Sequence, residues 1–189
     1  MQATVADVLV GLEGTHMSTP VERLLCHLDG IGDDRHRSAN ELAGAQQSHI
    51  VDKYGPVANF RQATIVTLEE TTRIAQALGV PKLYPEDFSA NIVLSGVEDF
   101  TQLPPEYYLV FSNGRRETHA VLRLMGENRP CEVAGANMKA RYPGHKDMGR
   151  FVKAAFGKRG QVAVVFAEGV IRQGDTVTFV PHQPEVKKR

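Results

Sequence analysis

The stretch QVAVVFAEGVIRQGDTVTFV, residues 161–180, decides the reading of the fold. Val162 to Phe166 and Thr176 to Val180 are short runs of β-branched and aromatic residues, and Glu168-Gly169 and Gln173-Gly174-Asp175 separate apolar runs as turn dipeptides do. The pattern predicts strand, turn, strand, turn, strand. Thr4 to Val10, Ala63 to Leu68, Asn91 to Leu94, Tyr107 to Phe111 and Thr118 to Leu124 have the same character and are punctuated by Gly, Pro and Asn. Many short strands without regular intervening helices argue for a barrel or sandwich and against a doubly wound parallel sheet. The expected fold class is mainly β.

Two helices are signalled. Thr67-Leu68-Glu69-Glu70 has capping-box spacing, Leu68, Ala75 and Leu78 share roughly one face, and Gly79 and Pro81 follow as stop signals, which predicts a helix over about 68–78. Met148, Phe151, Val152, Ala155 and Phe156 recur at i, i+3, i+4, i+7 and i+8. With Asp147 as cap and Gly157 as stop, they predict a second helix over 148–156 whose apolar stripe packs on the core. Residues 36–60 are polar, glycine-containing and weakly periodic, and are expected to form a long surface excursion.

The chain of 189 residues is long enough for one unit with a real core. Its 22 Lys and Arg cancel its 22 Asp and Glu, which removes the bulk electrostatic case for a nucleic-acid coat protein or a membrane-surface binder. The longest apolar run, Val162 to Ala167, is six residues, far short of the roughly 20 that span a bilayer. The N-terminus meets Asp7 and Glu13 before any Lys or Arg, so a secretory n-region is not expected and a cytoplasmic location is the default.

Several chemistries fail on their motifs. Gly30-Ile31-Gly32 begins like a dinucleotide fingerprint, but Arg35 stands where the third glycine belongs. No G-x-S-x-G occurs, and none of the seven histidines is paired at i+4, so neither a serine elbow nor a protein-only zinc site is expected. The acid doublets Glu69-Glu70, Glu86-Asp87 and Glu98-Asp99 are expected as solvated surface.

The thiols remain. Cys26 and Cys131 lie 105 positions apart and form neither a disulfide framework nor a metal pattern. Cys26, inside the apolar stretch Val21 to Leu28, reads as core. Cys131 follows Arg129-Pro130 and precedes a run, Lys139 to Arg159, with seven bases and one acid, a net +6. The run is either a solvated helix face or an anion site, and Cys131 either a small buried residue or a thiol favoured as thiolate by positive neighbours.

The order of Gly30-Ile31-Gly32-Asp33-Asp34-Arg35-His36, Arg61-Gln62-Ala63-Thr64-Ile65, Asn91-Ile92 with Ser95-Gly96, Pro130-Cys131, Arg159-Gly160 and Gly169 to Val177 resembles the MOSC domain, the module named for the C-terminal part of molybdenum cofactor sulfurases. The match runs from about 20 to 180, so that residues 1–189 read as a single MOSC domain. The resemblance implies a closed or nearly closed β-barrel with peripheral helices. It also implies a stand-alone module without the pyridoxal-phosphate-binding part of the full sulfurases, and no lysine here has a Schiff-base context. In the amidoxime-reducing branch, the cysteine matching Cys131 binds molybdenum of a pterin-dithiolene cofactor and the arginine matching Arg35 lies near it. The same resemblance nominates His36, Asn91 and Arg159 as cofactor-binding, although Ser89-Ala90 replaces the residues that often precede the family's asparagine.

Two functions of different class follow from it. In the first, the protein is a molybdenum-dependent two-electron reductase of N-hydroxylated compounds. Cys131 holds the metal, Arg35 and the 139–159 bases hold the pterin phosphate, and a separate protein donates electrons. In the second, it is a sulfur carrier: Cys131 becomes a persulfide, loaded by a sulfur donor and discharged to an acceptor protein. A barrel that has kept the fold and lost the chemistry is the third.

Overall fold

The computed structural model describes residues 1–44, 47, 49–114 and 118–183. Its strands are β1 (Gln2–Gly11), β2 (Ser18–Pro20), β3 (Arg23–His27), β4 (Gly30–Ile31), β5 (Asn40–Leu42), β6 (Pro56–Ala58), β7 (Ala63–Thr67), β8 (Ile92–Ser95), β9 (Tyr108–Ser112), β10 (Val121–Glu127), β11 (Gln161–Ala167), β12 (Gly169–Arg172) and β13 (Thr176–Val180). Three α-helices accompany them: α1 (Leu68–Leu78), α2 (Glu132–Arg141) and α3 (Phe151–Ala155).

The barrel runs β1-β13-β9-β10-β11-β7-β8 and closes back on β1, which leaves none of these seven strands with a bare edge. They are the seven runs expected from sequence, apart from the stretch between the two late turns. β1 closes the ring because it is long: Gln2 to Thr4 pair with β13, Thr4 to Val8 with β8, and a bulge between Val5 and Asp7 bends the strand from one partner to the other. All pairings in the ring are antiparallel except β7 with β8, whose parallel register needs the α1 crossover between them. Alternation along the strands sends Ile65, Ile92, Leu94, Leu109, Phe111 and Leu122 inward. The opposite faces of β1, β7 and β8 present Leu9, Val66 and Val93 to Ile74 and Leu78 of α1, Met138 of α2 and Phe151 of α3.

The late turns behave differently from hairpins. β12 pairs with β3 in a separate sheet with β4, so the chain leaves the barrel at Glu168 and re-enters it at β13. Gly169 permits this: a Cβ there would lie 2.4 Å from the Ala120 nitrogen.

Helix α1 spans the expected residues. Thr67 caps it by accepting the Glu70 N–H at 3.2 Å, and Gly79 ends it at φ +66°. The capping box is half made, because Glu70 turns its carboxylate to the Thr101 N–H (2.8 Å) and hydroxyl (2.7 Å). Glu70 and Asp87 are both buried, which corrects the expectation that these doublets are solvated. The second expected helix is shorter than 148–156. A 3-10 turn covers Lys146–Arg150 and α3 follows. Met148, Phe151 and Ala155 are buried, while Val152 and Phe156 face out. Asp147 does not cap it but pairs with Arg150 at 3.2 Å. The 36–60 excursion carries the β5–β6 hairpin, with part of its tip outside the described residues.

Among the described residues, no helix is long and apolar enough to cross a membrane.

Candidate functional site

Against the outer face of β7, a cavity of about 190 Å³ is lined by His16, Arg35, His36, Arg61, Thr64, Ser89, Asn128, Cys131, Val133, Ala134 and Arg159. Three guanidiniums, two imidazoles and one thiol converge there, and among the described residues no carboxylate lines it. The β-ladders cause the convergence. The Asn128 N–H donates to the Gly160 carbonyl at 2.9 Å, so the end of β10 and the start of β11 lie side by side, and the Asn91 N–H donates to the Thr64 carbonyl at 2.8 Å.

Cys131 is exposed and is the N-cap residue of α2, without a capping bond from its side chain. The first-turn N–H groups of a helix have no intrahelical acceptor, and α2 brings its first-turn residues Val133 and Ala134 to the pocket wall. The helix is fastened beneath the thiol. Asn137 Nδ2 donates to the His16 carbonyl (2.9 Å) and the Asp87 carbonyl (3.2 Å), and Arg141 forks onto the Asp87 carboxylate. Arg141 also lies 4.2 Å from the Tyr84 ring centre.

Arg159 is only 5% exposed. It donates to Asn128 Oδ1 (2.6 Å), to the Arg129 carbonyl (3.1 Å) and to the Phe88 carbonyl (3.2 Å), while its Nε has no partner among the described residues. Arg61 donates to the same Asn128 oxygen at 3.1 Å. Two cations therefore share one neutral acceptor, and among the described residues neither makes an ion pair. Burial lowers the pKa of Arg159, and the charge on Cys131 opposes that shift while Arg61 reinforces it.

Arg35 is held by the Met17 carbonyl (2.9 Å), the Leu12 carbonyl (3.4 Å) and His36 Nε2 (3.4 Å). Burial lowers its pKa, against the opposing charges of Asp34 and Glu13. Behind it, the buried Asp34 accepts from the Gly11 N–H (2.5 Å), Asn91 Nδ2 (2.6 Å), the His36 N–H (2.8 Å) and His36 Nδ1 (3.2 Å). Burial pushes its carboxyl up, but the bonds from the His36 ring, the Gly11 and His36 N–H groups and the Asn91 amide outweigh it and hold the carboxyl below its ordinary value. Asn59 closes the excursion: it donates to the His36 carbonyl (2.9 Å) and accepts from the Arg61 N–H (2.8 Å), tying two pocket arms together.

Of the residues nominated from sequence, Cys131, Arg35, His36 and Arg159 meet in this pocket. Asn91 does not line it. It is buried behind Asp34, and its amide oxygen accepts the Thr64 N–H at 2.9 Å, so it braces the site from within. The basic run does not gather at Cys131 either. Arg159 is its one member on the pocket wall, Lys139 lines a separate groove with Glu132, and Arg141 and Arg150 are paired with Asp87 and Asp147. Arg61 and Asn128 were missed, although Arg61 opens one of the segments that carry the family resemblance.

Cys26 is buried at 2% exposure, and desolvation pushes its thiol up to about 12.

The sequence model of the MOSC domain matches residues 49–178, a span that holds Arg61, Asn128, Cys131 and Arg159 but not Arg35 or His36. Over 190 aligned positions the chain is 30% identical to YuaD of Bacillus subtilis (strain 168), a protein named for a proposed role in metal-sulfur cluster biosynthesis. The alignment covers 100% of this chain and 96% of that one. The crystal structure of YuaD superposes with a TM-score of 0.89 over 97% of this chain and 98% of its own. YiiM from Escherichia coli shares the fold at 16% identity and a TM-score of 0.62, over 98% of this chain and 73% of its own. With a family match over most of its length and a full-length relative at this identity, the chain belongs to the MOSC domain family.

Proposed function

We propose that the protein is a sulfur carrier that holds sulfur as a persulfide on Cys131 and hands it to an acceptor in metal-sulfur cluster or cofactor assembly. One observation carries the reading: an exposed thiol at the N-terminus of α2 opens onto a pocket lined by three guanidiniums and, among the described residues, by no acid. In the transfer, the Cys131 thiolate attacks the outer sulfur of a donor persulfide. A new S–S bond forms, the donor's S–S bond breaks, and its electron pair leaves with the donor's inner sulfur. An acceptor thiolate then takes the outer sulfur and returns Cys131 as thiolate. No external oxidant or reductant is needed, and the guanidiniums stabilise the anionic persulfide at each stage. The name of the full-length relative YuaD supports the same reading.

MOSC domains are associated with molybdenum-cofactor binding, which keeps a reductase as the second reading. The residues fit such a group in part. Arg35, Arg61 and Arg159 suit a phosphate, and a thiolate is a suitable soft ligand. Among the described residues no three His, Cys, Asp or Glu gather as a metal site, so Cys131 would hold the metal without a set of three such protein ligands. The cavity of about 190 Å³ lies below the roughly 300 Å³ at which small-molecule pockets begin, so Arg35, Arg61 and Arg159 would hold the anionic end of such a cofactor, which would supply the two-electron redox chemistry when bound.

Protein made in a host able to synthesise the molybdenum cofactor separates the two readings. A gain of one sulfur on Cys131 without molybdenum supports the carrier. Molybdenum near one equivalent, lost in Cys131→Ser, would overturn it in favour of a reductase with its own electron-donor protein.

A further inference from the structure

We propose that the Cys131 pocket takes thiosulfate, a sulfur-bearing dianion, as the donor that loads the thiol; this rests on the carrier reading and names its substrate. Charge is the first argument. Arg159 is 5% exposed, its Nε has no acceptor among the described residues, and its guanidinium shares with Arg61 the neutral oxygen of Asn128. A buried cation without a counter-charge is costly, and here the buried Arg159 lies with the half-buried Arg61 and with Arg35 on the same wall. A single negative charge leaves that excess uncompensated, whereas a dianion offsets most of it.

Size is the second argument. A cavity of about 190 Å³ suits a tetrahedral oxyanion with one extra sulfur and is too small to enclose a whole ring-bearing ligand. Geometry is the third. The thiol stands at the mouth of a ten-residue helix whose first-turn residues Val133 and Ala134 line the same cavity, so anion and nucleophile share one space. The carboxylate of Glu132, also in that first turn, lies on the wall of a different groove.

The step balances. The Cys131 thiolate attacks the sulfane sulfur of thiosulfate, and the Cys131 Sγ–S bond forms as the bond from sulfane to sulfonate sulfur breaks. The electron pair leaves with sulfite. One thiolate and one dianion become one persulfide anion and one dianion, with no external redox partner. The guanidiniums that bind the sulfonate oxygens then hold the charge of the departing sulfite.

The test is single-turnover loading of the whole protein with thiosulfate, read as sulfite released and as one added sulfur on Cys131. Cysteamine persulfide, which has no anionic anchor, serves as parallel donor for the parent protein. Arg61→Met removes one cation at a half-buried position. Asn128→Asp keeps the shape and supplies a carboxylate to both arginines, so it disarms the pocket without opening a cavity. Each variant should raise the thiosulfate concentration for half-loading by roughly 10- to 150-fold, the worth of one charge-assisted contact. Sulfite release matched one for one by persulfide, and weakened in both variants, supports the proposal. Loading by cysteamine persulfide but not by thiosulfate overturns the donor and spares the carrier reading, whereas loading by neither overturns both. Equal loading of parent, Arg61→Met and Asn128→Asp overturns the arginine pocket. Inorganic phosphate bound as tightly as thiosulfate, with no sulfur transferred, overturns the proposal in favour of a phosphate anchor.

Discussion

Asp34→Asn tests how the site is held. Each Asp34 oxygen accepts two donors: Oδ1 from the His36 N–H and Nδ1, Oδ2 from the Gly11 N–H and Asn91 Nδ2. An amide keeps one oxygen and turns an NH2 toward the other pair of donors. If the NH2 faces Gly11 and Asn91, two buried donors lose their acceptor. If it faces His36, the imidazole must take the opposite tautomer, and a proton on Nε2 then meets the Arg35 Nε–H that donates to it at 3.4 Å. The amide takes the cheaper arrangement, which spares the buried Gly11 and Asn91 donors and orphans the part-buried His36 N–H, so at about 1–3 kcal/mol per orphaned donor the predicted loss is about 1–3 kcal/mol, measured by urea unfolding at neutral pH. A loss below about 0.5 kcal/mol, the scale of an ordinary surface substitution, would refute the reasoning.

The pH dependence carries a sign. The folded Asp34 carboxyl is held below its ordinary value, so its stabilisation is complete above the unfolded value of about 3.9 and is lost as pH falls through the lower folded one. The gap between parent and Asp34→Asn should be constant above about pH 4–5 and shrink in stronger acid. A gap that does not change down to the acid transition would show that the neutral shape of the side chain, and not its charge, does the holding.

Gly160 and Gly174 separate two costs of a Cβ. Gly160→Ala would put it 1.9 Å from the Ile65 carbonyl oxygen, whereas Gly174, at a similar φ of +87°, has nothing within 4 Å. Gly174→Ala should cost about 1–2 kcal/mol, and Gly160→Ala above about 4 kcal/mol or the fold itself, measured by thermal unfolding; equal losses would contradict the close approach of Gly160 to β7. A thiol reagent should modify Cys131 in the native protein and reach Cys26 only on unfolding, followed by peptide mass; early loss of Cys26 would refute its burial. Asn128→Asp should raise stability by about 1 kcal/mol or more, seen as about 2–4 °C in Tm for a chain of this length, because Arg61 and Arg159 gain a charged acceptor; a lower Tm would mean that their charge is already compensated.

The seven barrel strands were legible because each is a run of four residues or more rich in β-branched, aliphatic and aromatic side chains and bounded by turn residues. The strands β2, β4, β5 and β6 carry two or three residues each, too few to show a period, β3 is hidden within the apolar stretch Val21 to Leu28, and all five depend on partners elsewhere in the chain. Helix α2 was hidden for a related reason: of its ten residues only Ala134 and Met138 are buried, and Gly135 stands where the Phe151 ring packs close, 3.5 Å from a would-be Cβ. The stripe over 148–156 was half right because the segment opens as a 3-10 turn. Its period of three keeps Met148 and Phe151 on the core side and leaves Val152 and Phe156 outside.

The site shows where sequence proximity misleads. Arg141 and Arg150 lie near Cys131 in sequence but are neutralised by Asp87 and Asp147, while Arg61, seventy positions away, is not. The acid doublets explain the difference. Glu69 accepts the Gly96 N–H, Glu70 is turned to Thr101, Asp87 takes Arg141 and Asp99 takes Arg73. A chain whose charges sum to zero thus keeps these carboxylates for its helices and loops. The neutral oxygen of Asn128 is what Arg61 and Arg159 are left to share, and the positive pocket beside Cys131 arises from where the acids are held rather than from an excess of bases.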